Sequence, residues 1–144
     1  MKPAPFDYHA PDTIGEVVAL LAEHGDDIKP LAGGQSLVPM LALRLTRFDH
    51  LVDLNRVTEL EGLNRSNGTL TVGATTRQAT IERSSLAEAI PLLARAAPLI
   101  GHFQIRNRGT VGGSLAHADP AAELPAVALA LDAQMEIATV NGRH

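Results

Sequence analysis

Apolar and polar positions alternate with two different periods along the chain, and they predict an α/β start followed by a mixed second part. Phe6 to His9 reads as a short strand that ends before Pro11. Ile14, Val17, Val18, Leu20 and Leu21 then recur at helical spacing through Ala22, an apolar face on one helix. Thr13 and Glu16 stand at capping-box spacing before that face, and Gly25 stops it. Ile28 to Leu31 is a buried-strand pattern, and Leu37 to Leu43 a short helix with Ser36 as cap and Pro39 in its opening turn. Leu51 to Leu54 completes β-α-β-α-β.

After Asn55-Arg56 the pattern changes. Leu60 to Asn64 and Leu70 to Ala74 flank Asn67-Gly68, a strong hairpin signal. A helix should follow with Thr76 as its cap, and a second should run from Ala89 to Ile100 with Pro91 near its start. Pro98 should distort that helix's last turn. Residues 102 to 118 read as extended or irregular backbone. Pro120 to Leu131 reads as a helix capped by Asp119, with Glu123 shortly behind the cap. Ala133 to Val140 alternates like a strand. Asn141-Gly142 should turn it, and the returning strand that should begin at Arg143 is expected to be missing. The predicted fold class is α+β: residues 1–56 an α/β subdomain, residues 57–144 a second, incomplete subdomain.

Composition narrows the chemistry. The chain has 144 residues, 45% of them hydrophobic, which suits a packed globule. Its formal charge is −4, and no basic run offers a footprint for nucleic acid. It has no Cys, so a disulfide framework, a cysteine zinc site or an iron–sulfur cluster is excluded on this chain. No apolar run has membrane-spanning length, and a cytoplasmic location is the expectation.

Two glycine stretches carry the candidate chemistry: Ala32-Gly33-Gly34-Gln35-Ser36 and Thr110-Val111-Gly112-Gly113-Ser114. Adjacent glycines let backbone approach a ligand closely, and successive free N–H groups form a concavity suited to phosphate. Together the two loops could clamp one pyrophosphate. Neither matches the G-x-G-x-x-G dinucleotide fingerprint or a P-loop. Asp119 and Glu123 could accept hydrogen bonds from ribose or ribityl hydroxyls, although Asp119 is more simply read as a helix cap. Arg106 and Arg108 could face phosphate or a partner. No metal site is expected: His117, Asp119 and Glu123 lack a second ligand pair.

These two motifs resemble the paired flavin-binding motifs of the FAD-binding medium subunit of molybdenum hydroxylases, the carbon monoxide dehydrogenase and xanthine dehydrogenase family. Phe6-Asp7-Tyr8, Val52-Asp53-Leu54, Gly73-Ala74-Thr75-Thr76 and Ile105-Arg106-Asn107-Arg108-Gly109-Thr110 are similar to it as well. The resemblance implies the FAD-binding fold shared with vanillyl-alcohol oxidase. It also implies flavin contacts from residues 32 to 36 and 110 to 114, with Lys29, Pro30 and Leu31 leading in, Leu37 following, and Glu123 at an acidic flavin-contacting position. It implies partners too: a large molybdopterin subunit and a small subunit with two [2Fe–2S] clusters. Electrons would pass through FAD to an acceptor, and no catalytic residue would lie on this chain. Resembling subunits run to about twice this length, so a truncated chain without the C-terminal subdomain is expected, with an exposed strand edge that favours self-association. The alternative is a non-catalytic homologue serving as an interaction or assembly module.

Overall fold

A computed structural model describes all residues, 1–144. The chain divides into two compact units, Met1–Leu60 with Met135–His144, and Glu61–Gln134.

In the first unit, β1 (Asp7–His9), β2 (Ile28–Leu31) and β3 (His50–Asp53) form a parallel sheet in the order β1-β3-β2. The register pairs Asp7 and Ile28 with His50, and His9 and Pro30 with Val52. Residues aligned across strands share a face, so Asp7, His9, Ile28, His50 and Val52 lie on one side of the sheet. Helix α1 (Ile14–His24) covers that side: Val17 packs with Ile28, Val52 and Val57, with Ile14, Leu20, Leu21, Leu54 and Leu60 around them. Its capping box is complete. The Thr13 hydroxyl accepts from Glu16 N–H, and the Glu16 carboxylate accepts from Thr13 N–H. Helix α2 (Leu37–Ala42) follows β2 after the first glycine stretch.

The expected strand over Ala133 to Val140 shrinks to β6 (Ala138–Thr139), paired with β7 (Gly142–Arg143). Ile137 and His144 exchange both backbone hydrogen bonds beyond that pair, so the returning strand expected to be missing is present from Gly142 to His144. Alternating polarity alone makes residues 133 to 136 look like a strand, and no neighbouring strand pairs with them.

The second unit opens with the hairpin β4 (Leu63–Ser66) and β5 (Thr69–Val72). Asn67 and Gly68 turn it with φ of +51° and +81°, as a two-residue turn of the hairpin type requires. Six short helices follow: α3 (Gln78–Arg83), α4 (Ser85–Glu88), α5 (Pro91–Ala96), α6 (Phe103–Arg108), α7 (Val111–His117) and α8 (Glu123–Ala130). Ile81, Ala87 and Ala97 form their core with Leu63, Val72, Leu93 and Val111 packed against it.

Four expectations are corrected here. Residues 102 to 118 are not irregular but hold α6 and α7. Glycines inside a segment argue against helix, yet Thr110 caps α7 by accepting from Gly113 N–H at 3.2 Å. Thr76 does not cap α3. Its hydroxyl faces Gly62, accepting from Gly62 N–H and lying 2.9 Å from Gly62 C=O, and Arg77 takes the cap position. Asp119 does not cap α8 either: Ala122 occupies that position, and the Asp119 carboxylate accepts from Ala121 N–H at 2.8 Å. The helix expected from Ala89 to Ile100 runs only from Pro91 to Ala96 and tightens into a 3-10 turn, Ala97–Leu99, at Pro98.

Candidate functional site: two glycine turns

The first glycine stretch leaves β2 at its C-terminal end and enters α2. Neither Lys29 nor Pro30 is buried; the Lys29 ammonium sits 5.6 Å from the Phe48 ring centre. Leu31 C=O accepts from Leu54 N–H, which holds the strand end. The chain then turns through Ala32, buried Gly33 and Gly34 to Gln35, Ser36 and Leu37. Gly34 has φ +73°, and a Cβ there would come within 3.0 Å of Val38 Cγ2 and 3.3 Å of Leu31 Cδ1. Glycine is therefore needed twice over at this position.

The turn's donors are the site's main feature. The N–H groups of Gly33, Gly34, Gln35, Ser36 and Leu37 donate to no acceptor in the protein, whereas Val38 N–H already bonds to Gly34 C=O. The Ser36 hydroxyl makes no capping bond, although Ser36 is the residue before α2. A run of uncommitted amides plus a hydroxyl free to donate is rich in donors, which is what a diphosphate needs.

A side-chain chain holds this turn, and sequence reading missed it. Asn55 Nδ2 donates to Ala32 C=O at 3.1 Å. Asp53 Oδ1 accepts from Asn55 N–H at 2.9 Å and from the Asn55 amide. The Tyr8 hydroxyl donates to the other Asp53 oxygen. That hydrogen bond, with partial burial and the carboxylate's charge behind it, raises the phenol above its ordinary pKa. The signal was Asp53 itself, a carboxylate closing the apolar run of β3. Asp53 and Asn55 are two residues apart, but Tyr8 and Ala32 lie far from both in sequence, so no local spacing links the whole chain of bonds.

The second glycine stretch is built differently. Its amides are already used: Val111 N–H bonds to Thr76 C=O, Gly112 N–H to Ala74 C=O, Gly113 N–H to the Thr110 hydroxyl, and Ser114 N–H to Thr110 C=O. Thr110 is 2% exposed and bridges to Arg77. The stretch thus offers side-chain and C=O groups rather than an array of free N–H donors. Half-buried Ser114 and Glu123 and exposed Asp119 lie in the same unit. Arg106 does not reach outward. It grips Glu82 with two bonds of 2.8 and 3.2 Å and donates to Ile100 and Gly101 C=O groups.

The comparisons with known proteins bear on this geometry. The family model described as the FAD binding domain in molybdopterin dehydrogenase matches residues 4–144. The chain belongs to that family. As a member of the FAD-binding domain family it is 51% identical over its whole length to the 6-hydroxypseudooxynicotine dehydrogenase complex subunit alpha of Paenarthrobacter nicotinovorans, covering 49% of that protein. It is 46% identical to the carbon monoxide dehydrogenase medium chain of Hydrogenophaga pseudoflava, covering 50% of it. Its fold superposes on a solved carbon monoxide dehydrogenase from the same organism with a TM-score of 0.98 at 46% identity, over all of this chain and 50% of that one. On quinoline 2-oxidoreductase from Pseudomonas putida 86 the TM-score is 0.95 at 42% identity, again over half of that chain. The chain spans about half the length of the curated relatives it matches. The family's cofactor is FAD, and the donor-rich turn at Gly33–Leu37 is chemically suited to its diphosphate. No helix is long and apolar enough to cross a membrane.

Proposed function

We propose that this chain is the FAD-holding part of an electron-transfer subunit in a molybdenum-containing hydroxylase or dehydrogenase of the cytoplasm. A large molybdopterin subunit and a small [2Fe–2S] subunit are its partners, and it does not oxidise a substrate alone. The observation that carries the reading is the row of uncommitted N–H groups from Gly33 to Leu37 between β2 and α2. Those amides and the Ser36 hydroxyl hold the FAD diphosphate, with Lys29, Pro30, Leu31 and Ala32 leading the chain into contact. Tyr8, Asp53 and Asn55 keep the turn in its binding shape. In the second unit Thr110 sets the shape of its own turn, and Val111, Gly112, Gly113, Ser114, Asp119 and Glu123 form the remaining flavin contacts. Bound FAD supplies the redox chemistry, and the protein supplies position and polarity.

The purified chain should carry or take up one FAD, seen as flavin absorbance that co-elutes with it. Gly33→Val puts bulk where the diphosphate approaches and should leave a folded protein without flavin, with circular dichroism as the folding check. Normal flavin occupancy in that variant contradicts the reading.

A further inference from the structure

Three imidazoles meet at one edge of the first unit. His9 ends β1, His24 ends α1 and His50 begins β3. His9 and His50 stand on the sheet face that α1 covers, and the last turn of α1 brings His24 over them. One ring nitrogen from each lies within 4.8 Å of the other two, and all three residues are half-buried. His9 Nε2 and His50 Nδ1 are 3.2 Å apart, while the His24 and His50 rings stack at 3.8 Å. The flavin reading uses none of them.

The 3.2 Å contact joins two ring nitrogens through a single shared proton, because one must donate and the other accept. A metal ion can replace that proton and satisfy both nitrogens at once. Tetrahedral zinc with Zn–N bonds of about 2.0–2.1 Å puts its ligand nitrogens roughly 3.4 Å apart. His9 and His50 already stand near that separation, so binding needs the His24 and His50 rings to turn out of their stack and the third nitrogen to close in from at most 4.8 Å. Nearby, Asp7 Oδ2 lies 3.9 Å from His50 Nδ1 and adds negative charge beside the site.

We propose that His9, His24 and His50 bind a divalent transition-metal ion of the zinc class, with water in the remaining position. The ion ties the end of α1 to the β1–β3 pair, whose two strands are already joined by parallel backbone hydrogen bonds. It serves stability, and no redox step is assigned to it.

The test uses the whole chain, stripped with chelator and titrated with Co²⁺ and then Zn²⁺. One Co²⁺ per chain should bind with the intense visible absorption of low-coordinate nitrogen ligation, and Zn²⁺ should displace it and raise the melting temperature. His24→Gln and His50→Gln should each weaken binding at least 10-fold, while His144→Gln should not. Should either variant unfold, His9→Gln and the wild-type Co²⁺ spectrum decide independently. Absence of saturable uptake, a weak spectrum like that of hydrated Co²⁺, or full affinity in the histidine variants would overturn the proposal.

Discussion

Gly112 packs directly on Ala74. Its N–H donates to Ala74 C=O at 2.8 Å, and a Cβ on Gly112 would sit 2.6 Å from Ala74 Cβ and 2.8 Å from Ala74 Cα and O. The second Gly-Gly pair therefore owes one of its glycines to packing inside the protein, not to a ligand. Gly112→Ala should force α7 away from the segment after β5 and destabilise the fold by about 1–3 kcal/mol, the usual cost of overpacking. A thermal melt checks it. An unchanged melting temperature would mean that backbone here yields easily.

Thr110 acts on the same turn. Its buried hydroxyl accepts from Gly113 N–H, the cap of α7. Thr110→Ala should cost about 1 kcal/mol in urea denaturation, whereas Thr110→Ser keeps the hydroxyl and most of the cap. If the alanine and serine variants are equally destabilised, the methyl group's packing outweighs the cap.

The capping box of α1 makes stability pH-dependent. Glu16 Oε2 accepts from Asp12 N–H at 2.9 Å and Thr13 N–H at 3.2 Å, and these bonds hold its carboxyl below the ordinary pKa. A depressed folded-state pKa adds stability above the unfolded value, and that stability disappears as pH falls through the folded one. Glu16→Gln should therefore be less stable than the natural protein at pH 7, and the gap should close in acid below the usual carboxylate range. Denaturation midpoints of both proteins across that range read it; a gap independent of pH would show that the ionised form has no advantage.

Much of the first unit was legible from the sequence because its signals are local. Helical spacing from Ile14, Thr13 with Glu16, and apolar runs at Ile28 and Leu51 each describe their own element, and all three lie where expected. The Asn67-Gly68 turn and the break at Pro98 were legible for the same reason. What stayed hidden depends on distant partners. Gly112 and Gly113 read as loop, but Thr110's cap and the Ala74 contact make their segment helical. Thr76 and Asp119 have the right chemistry for caps and spend it on Gly62 and Ala121 instead. The glycine stretches look alike in sequence and differ in how many amides remain free, a property set by neighbours such as Thr76 and Ala74. Asn55's bond to Ala32 and the meeting of His9, His24 and His50 are set by parallel strand register, which no spacing along the chain encodes.

The central claim, that the turn from Gly33 to Leu37 binds the diphosphate of FAD, is tested most directly by titrating FAD and riboflavin into the natural protein and Ser36→Ala. Ser36 makes no capping bond, so its loss should leave the melting temperature unchanged. It should remove one hydrogen bond to a charged group, about 1.5–3 kcal/mol, or roughly a 10- to 150-fold weaker FAD affinity. Riboflavin, which lacks the diphosphate, should bind the natural protein far more weakly than FAD and be indifferent to the substitution. Equal affinity for FAD and riboflavin, or an FAD affinity untouched by Ser36→Ala, would contradict the account.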